Sequence, residues 1–282
     1  MSTTVTLTAG TSPAANDAPY VDVLVSSIDA GISTVTVWRT IKGRELRVRG
    51  MVALSAAGSV TALDFEAAPG FLASYRVQQF DAGGNFVSWS TPVTITPPAN
   101  SDPRVAWFHN PLDPTTSVKV LMTLGAGSTI ARPLDMEILR PKGRSAGVAL
   151  FGVRQGVTGV PLDCVTLTEA DADLFDALWG GYDDLTVIPI ICVRLPKQMR
   201  VPSPLFALVA SPQQMPLDFS HAGTLTQWAL TGDEISPPPE AIIVALLDYA
   251  DFTAFYTDYA AFTAAYVDYQ TATRDYSIAG TA

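Results

Sequence analysis

Two cysteines and two histidines are all that 282 residues hold of the side chains that most often bind metals. Cys164 and Cys192 are too few for a disulfide scaffold, and neither has the CxxC partner that zinc or redox chemistry wants. Both are expected as small buried hydrophobes, with a single bridge between them left open. His109 and His221 belong to no HExxH motif and no tight His/Cys/Asp cluster. Each is expected to be a hydrogen-bonding residue in a loop or at a strand end.

Other motifs are missing too. There is no GxSxG elbow, and no serine stands in a plausible triad order with the two histidines. The glycine-rich stretch from Gly152 to Gly159 lacks the Lys-Ser/Thr ending of a P-loop and precedes a strand-like run, so it is read as a β-hairpin turn. The carboxylate pairs Asp183-Asp184 and Asp233-Glu234 are expected to be solvated in turns. Because every class of motif fails together, the sequence predicts no catalytic residues, no metal and no cofactor, and the protein is expected not to be an enzyme.

Charge is also sparse, at 16% of residues, with 17 basic against 27 acidic and a net of −10. Phosphate backbones are bound mainly by clustered Lys and Arg, so nucleic acid is not an expected partner. One basic group (Arg39, Lys42, Arg44, Arg47, Arg49) is expected as a solvated hairpin face. No apolar run approaches the roughly 20 residues that cross a bilayer, and Met1 to Thr8 has no secretory character. The expectation is a soluble chain made in a cytoplasm, without membrane insertion.

What is present is 48% hydrophobic residues, with 21 prolines and 20 glycines scattered between short apolar runs. That suits many strands joined by turns. In the first hundred residues strand-like stretches recur at 20–25, 34–39, 46–49, 60–65, 73–80 and 93–95, with turn signals such as Lys42-Gly43 and Asp81-Ala82-Gly83-Gly84 between them. Val35, Val37 and Arg39 alternate with Thr34, Thr36 and Trp38, as in a sheet with one wet face.

Ser74-Tyr75-Arg76-Val77-Gln78, then Asp81-Ala82-Gly83-Gly84 and Ser88-Trp89-Ser90, resembles the late strands of a fibronectin type III module. The expectation for 1–100 is therefore an immunoglobulin/fibronectin III-like β-sandwich. Pro97 to Pro103 reads as a linker.

Residues 101–236 are expected to form a second β-rich sandwich or barrel, with strands near 117–122, 134–139, 147–151, 162–167, 186–193, 205–209 and 225–230. One helix is predicted at 168–180. Thr168 is its N-cap, Glu169, Asp171 and Asp173 sit at its positive end, and Gly180-Gly181 stops it. The fold class is mainly β.

After Pro237-Pro238-Pro239 the segment 237–282 changes in kind and repeats every ten residues, from Asp248-Tyr249 to Thr257 and from Asp258-Tyr259 to Val267. Its aromatics step by three and four. This fits either one helix with a drifting stripe or several short helices, each capped by its Asp. Tyr249, Phe252, Tyr256, Tyr259, Phe262, Tyr266 and Tyr269 form a candidate interface, since Tyr and Phe favour interface cores. A helix packed on its own β domain is the other reading, and the prolines were expected to hold the segment away from that domain.

Three features carry a wider resemblance. They are Val35 to Thr40 leading through Val48-Arg49-Gly50 to Asp64-Phe65-Glu66; Pro111-Leu112-Asp113-Pro114 followed by the helix at 168; and Thr226-Gln227-Trp228 to Pro239 followed by aromatic repeats. The order looks like minor tail proteins of long-tailed phages of actinobacteria, similar to distal tail (baseplate hub) proteins.

The resemblance implies a virion component assembled in the host cytoplasm. Its expected partners are the tail tube, tape measure and baseplate hub, and it implies a sixfold or threefold homo-oligomeric ring. A rival is a carbohydrate-binding or adhesion module, in which Trp38, Trp89, Trp107, Trp179 and Trp228 could stack on host glycan. A wall hydrolase built from distant loops is a further, weaker rival.

Overall fold

The computed structural model describes residues 3–56, 58–180, 190–196, 199–217, 224–239, 249–266 and 272. It is mainly β. Nine strands come first: β1 (Thr4–Ser12), β2 (Ala18–Ser26), β3 (Thr34–Ile41), β4 (Arg44–Arg47), β5 (Leu54–Ser55), β6 (Val60–Asp64), β7 (Ala73–Phe80), β8 (Phe86–Trp89) and β9 (Val93–Ile95).

β1, β2 and β6 make one antiparallel sheet, in that order. β4-β3-β7-β8 makes another, with β5 added to β3 and β9 to β7. Alternation sends every second residue inward. Val21, Val23 and Val25 of the first sheet therefore share one core with Val35, Val37, Tyr75 and Val77 of the second. The result is a β-sandwich. Lys42 and Gly43 both have positive φ, 50° and 77°. Such a two-residue turn matches strand twist, and it returns β3 directly into β4.

Eleven further strands and a helix follow: β10 (Val105–Asn110), β11 (Asp113–Met122), β12 (Leu134–Leu139), β13 (Val148–Arg154), β14 (Val160–Pro161), β15 (Cys164–Thr166), α1 (Glu169–Ala177), β16 (Ile190–Arg194), β17 (Leu205–Val209), β18 (Gln213–Pro216), β19 (Thr226–Ala229) and β20 (Thr231–Glu234). Nine of these strands form one sheet in the order β14-β20-β17-β16-β10-β11-β15-β19-β18. β14 and β15 belong to one run of chain, and so do β19 and β20. Between them the Leu162 amide donates to the Leu230 carbonyl at 2.9 Å. The pairing path thus returns to where it began, and the sheet curls around its own core.

Phe108, Val118, Leu162, Ile191, Leu205 and Trp228 are in that core. Helix α1 lies against it through Phe175, whose ring is 5.3 Å from Phe108 and 4.8 Å from Trp228. The helix starts as expected: Thr168 Oγ1 accepts the Asp171 amide at 3.0 Å, and Gly180 (φ 81°) follows its end.

Two sequence expectations change here. β10 is a strand that the sequence did not predict, with His109 near its end, and Val105 and Trp107 from it pack with Ala15, Ala18 and Phe65 of the sandwich. The glycine-rich stretch 152–159 leaves β13 and enters β14, which lie in different sheets, so it is a crossover and not a hairpin turn.

Two elements stand apart from these layers. Among the described residues β12 and β13 pair only with one another, and every residue of both is exposed. Near the C-terminus α2 (Tyr249–Phe255) and α3 (Tyr259–Ala265) are two separate helices of seven residues. Of the two readings of the aromatic repeats, the described residues form the short helices. Asp258 caps α3 by accepting the Ala261 amide at 2.8 Å.

Candidate functional site

The aromatic repeat residues divide by direction. Phe252, Tyr256, Phe262 and Tyr266 converge: Phe252 meets Phe262 edge-on at 5.3 Å, and the Tyr256 hydroxyl donates to that of Tyr266 at 2.9 Å. Repeats of the same sequence therefore build a small core between α2 and α3, with Ala272 beneath it. Tyr249 is 82% exposed and Tyr259 64%, so these two form the outer side of the set. Tyr269 lies outside the described residues, as do His221 and Asp183-Asp184.

The prolines before these helices are not free of the sandwich. Arg49 donates from Nη1 to the Pro239 carbonyl at 3.0 Å and from Nη2 to that of Pro238 at 3.3 Å, and Pro238 is buried. These bonds hold Pro238 and Pro239 themselves against the sandwich.

Arg49 belongs to the basic group expected on a solvated face; Lys42 and Arg47 are exposed as expected, but the expectation is corrected for Arg39 and Arg49. Arg39 is wholly buried, paired with Asp64 and, at 3.3 Å, with Glu66. Arg49 Nε reaches Glu66 at 2.9 Å. The Tyr75 hydroxyl donates to Asp64 at 2.8 Å. Burial lowers the Arg39 pKa, but the Asp64 and Glu66 carboxylates outweigh it and hold the guanidinium charged. Burial and the Asp64 charge push the Tyr75 phenol well above its usual range.

Across from this network, on the curled sheet, lie two partly orphaned cations or bases. Arg194 donates from Nη1 to the Pro19 carbonyl, and its guanidinium lies 5.8 Å from the Trp107 ring centroid. Its Nε and Nη2 are buried without a hydrogen-bond partner among the described residues. Burial brings its pKa down to about 10. His109 is also fully buried, and neither ring nitrogen has a hydrogen-bond partner there. Desolvation first, and then the charges of Arg194, Arg49 and Arg39, hold it well below the ordinary imidazole range. It is a buried neutral residue at the end of β10, so the strand-end alternative describes its position, while the hydrogen bonding expected of it is corrected.

Cys164 and Cys192 are free and buried, and burial raises both thiols far above their usual range. Such thiols are poor nucleophiles.

The feature that sequence reading missed is the surface of β12 and β13. Met136 opposes Phe151 and Ile138 opposes Ala149 on one side, while Leu139 opposes Val148 and Glu137 opposes Leu150 on the other. Both faces are mainly apolar, with Glu137 on the second. Phe151 is 83% exposed and Val153 81%. Among the described residues no third strand joins the ribbon, and a two-stranded ribbon alone in water is marginal at best. Exposed apolar surface of this kind makes the ribbon a candidate contact site.

A groove of about 590 Å³ lies on the curled sheet, lined by Leu121, Leu124, Leu167, Met199 and Leu225 among others. Comparison with protein-family models, curated proteins and solved structures finds no match to this chain.

Proposed function

We propose that this chain is a structural component of a long-tailed phage tail, at the tail tip or distal tail ring, and that it works through protein–protein assembly. The observation that carries this reading is the β12–β13 arm, mainly apolar on both faces and exposed throughout. The resemblance of the order of parts to minor tail proteins supports the kind of assembly. In this reading the partners are tail tube, tape measure and baseplate hub proteins, together with further copies in a ring of three or six.

Residues 1–100 are a fibronectin type III-like module in the same reading. The order β1-β2-β6 opposite β4-β3-β7-β8 supports it, as strands A-B-E facing C′-C-F-G. Residues 101–236 are the tail-assembly part, and 237–282 a docking segment whose outward residues are Tyr249 and Tyr259. The test is immunogold electron microscopy of the phage that encodes the chain. Label at the distal end of the tail is expected; virions without label contradict the proposal.

The glycan reading draws on Trp38, Trp89 and Phe86, which cluster on the outer side of the second sandwich sheet. Arg76 sits 3.8 Å from the centre of the Trp89 ring and Arg47 5.1 Å from Trp38, so cations occupy the faces on which a sugar would stack. Quenching of tryptophan fluorescence by host wall polysaccharide would favour that reading, and an unchanged spectrum would count against it.

A further inference from the structure

We propose that the β12–β13 arm of one copy lies in the apolar groove beside α1 of a second copy, with the basic tip of the arm against the carboxylates of α1. This rests on the assembly reading and names the contact that performs it.

The chain carries a net of −10, yet residues 134–154 hold four cations (Arg140, Lys142, Arg144, Arg154) and two carboxylates (Asp135, Glu137), a net of 4 − 2 = +2. Three of the cations, Arg140, Lys142 and Arg144, crowd the turn between the strands. No acidic residue occurs from Ile138 to Leu162. All three are exposed, and none forms an ion pair with a described residue. The arm therefore ends in a concentrated positive charge on an otherwise acidic molecule.

The complement is on the same chain. Glu169, Asp173 and Asp176 stand at i, i+4 and i+7 of α1, so they line one side of the helix. They are exposed, while Ala172 and Phe175 turn inward. No basic residue lies on α1. The stripe spans about 10 Å at 1.5 Å rise per residue, a length that a five-residue tip can match.

Leu167, just before the Thr168 cap, lines the apolar groove together with Leu121, Leu124 and Leu225. The acidic stripe thus continues from an apolar trough. The arm has the same sequence of surfaces, an apolar ribbon ending in cations. In the single chain neither surface covers the other, because every residue of the arm is exposed. A contact made by two different patches is heterologous, and it closes into a ring when the rotation allows.

The test reverses the charges and then pairs the reversals. One variant carries Arg140→Glu, Lys142→Glu and Arg144→Glu; the other carries Glu169→Lys, Asp173→Lys and Asp176→Lys. Mass is read by light scattering over a range of concentrations, and near-UV circular dichroism verifies that each variant is folded. The parent is expected to form multiples of 29.9 kDa. Each variant alone is expected to associate at least tenfold more weakly, and an equimolar mixture to regain association, since each tip meets a helix of opposite sign wherever the two variants alternate. Salt is expected to weaken the parent and the mixture alike.

Variants that keep parental mass, or a mixture of folded variants that stays dissociated while the parent associates, overturn the arm-to-helix contact and leave self-assembly standing. A parent that stays at 29.9 kDa at every concentration overturns the second copy as occupant and assigns the arm to another protein. Virion labelling separately decides the tail reading.

Discussion

Arg44 on β4 and Glu234 on β20 form an ion pair at 3.0 Å, one strand from the sandwich and one from the curled sheet. The same guanidinium donates to the Pro204 carbonyl, while the other Glu234 oxygen accepts the Val157 amide. Arg49 reaches the triproline from the same side of the sandwich. The two β layers are thus joined by polar contacts at the rim and by the packing of Phe65 and Ala18 on Val105 and Trp107.

The arginines of this junction differ in weight. Arg39→Met leaves Asp64 and Glu66 buried with less compensation, and its expected cost is about 3–5 kcal/mol. Arg44→Met removes a partly buried pair at the rim, and its expected cost is smaller, about 1 kcal/mol. Urea denaturation of both variants measures the contrast. Equal costs would contradict the buried network.

His109 makes stability depend on pH. Its folded pKa lies well below the 6.5 expected of the unfolded chain. As pH falls below that value the unfolded state takes up a proton that the buried ring refuses. The stability from His109 is therefore present above about pH 6.5 and is lost progressively on acidification, with a limiting slope of about 1.4 kcal/mol per pH unit. His109→Leu is expected to flatten the stability profile between pH 7 and 5. An unchanged slope would show that the ring is protonated, or solvated, in the native state.

The C-terminal helices depend on their cap. Asp258→Ala removes the acceptor for the Ala261 amide and is expected to cost α3 about 0.5–2 kcal/mol. Because Phe262 and Tyr266 pack against Phe252 and Tyr256, the near-UV tyrosine signal should fall at lower temperature than in the parent. A melting curve identical to the parent's would contradict the capping role.

Much of the local structure was legible. Thr168 with its acidic followers marked the start of α1, and 73–80 and 205–209 were read as the strands they are. The alternation that turns Val35 and Val37 inward also turns Arg39 inward. Its burial was missed because the compensating charges, Asp64 and Glu66, lie some 25 residues away and sequence spacing does not show that they meet. β10 was hidden because a histidine beside Asn110 and Pro111 reads as loop chemistry. Spacing by three and four suits one long helix and two short ones equally, so only the break after Phe255 decided between them.

The arm was the least legible feature. Leu134 to Leu139 and Val148 to Phe151 look like any core strands, since an apolar run says that a residue wants burial and not which molecule supplies it. The groove that would receive it is assembled from five separate stretches of chain, and no local pattern marks it.

The central claim is that the apolar arm holds copies together, and its most direct measurement is the solution mass of the full chain beside a Met136→Asp/Phe151→Asp variant, by light scattering at matched concentrations. The account predicts a multiple of 29.9 kDa for the parent and 29.9 kDa for a variant that keeps the parental circular dichroism. Equal masses for the two folded proteins, whether single or multiple, would contradict it.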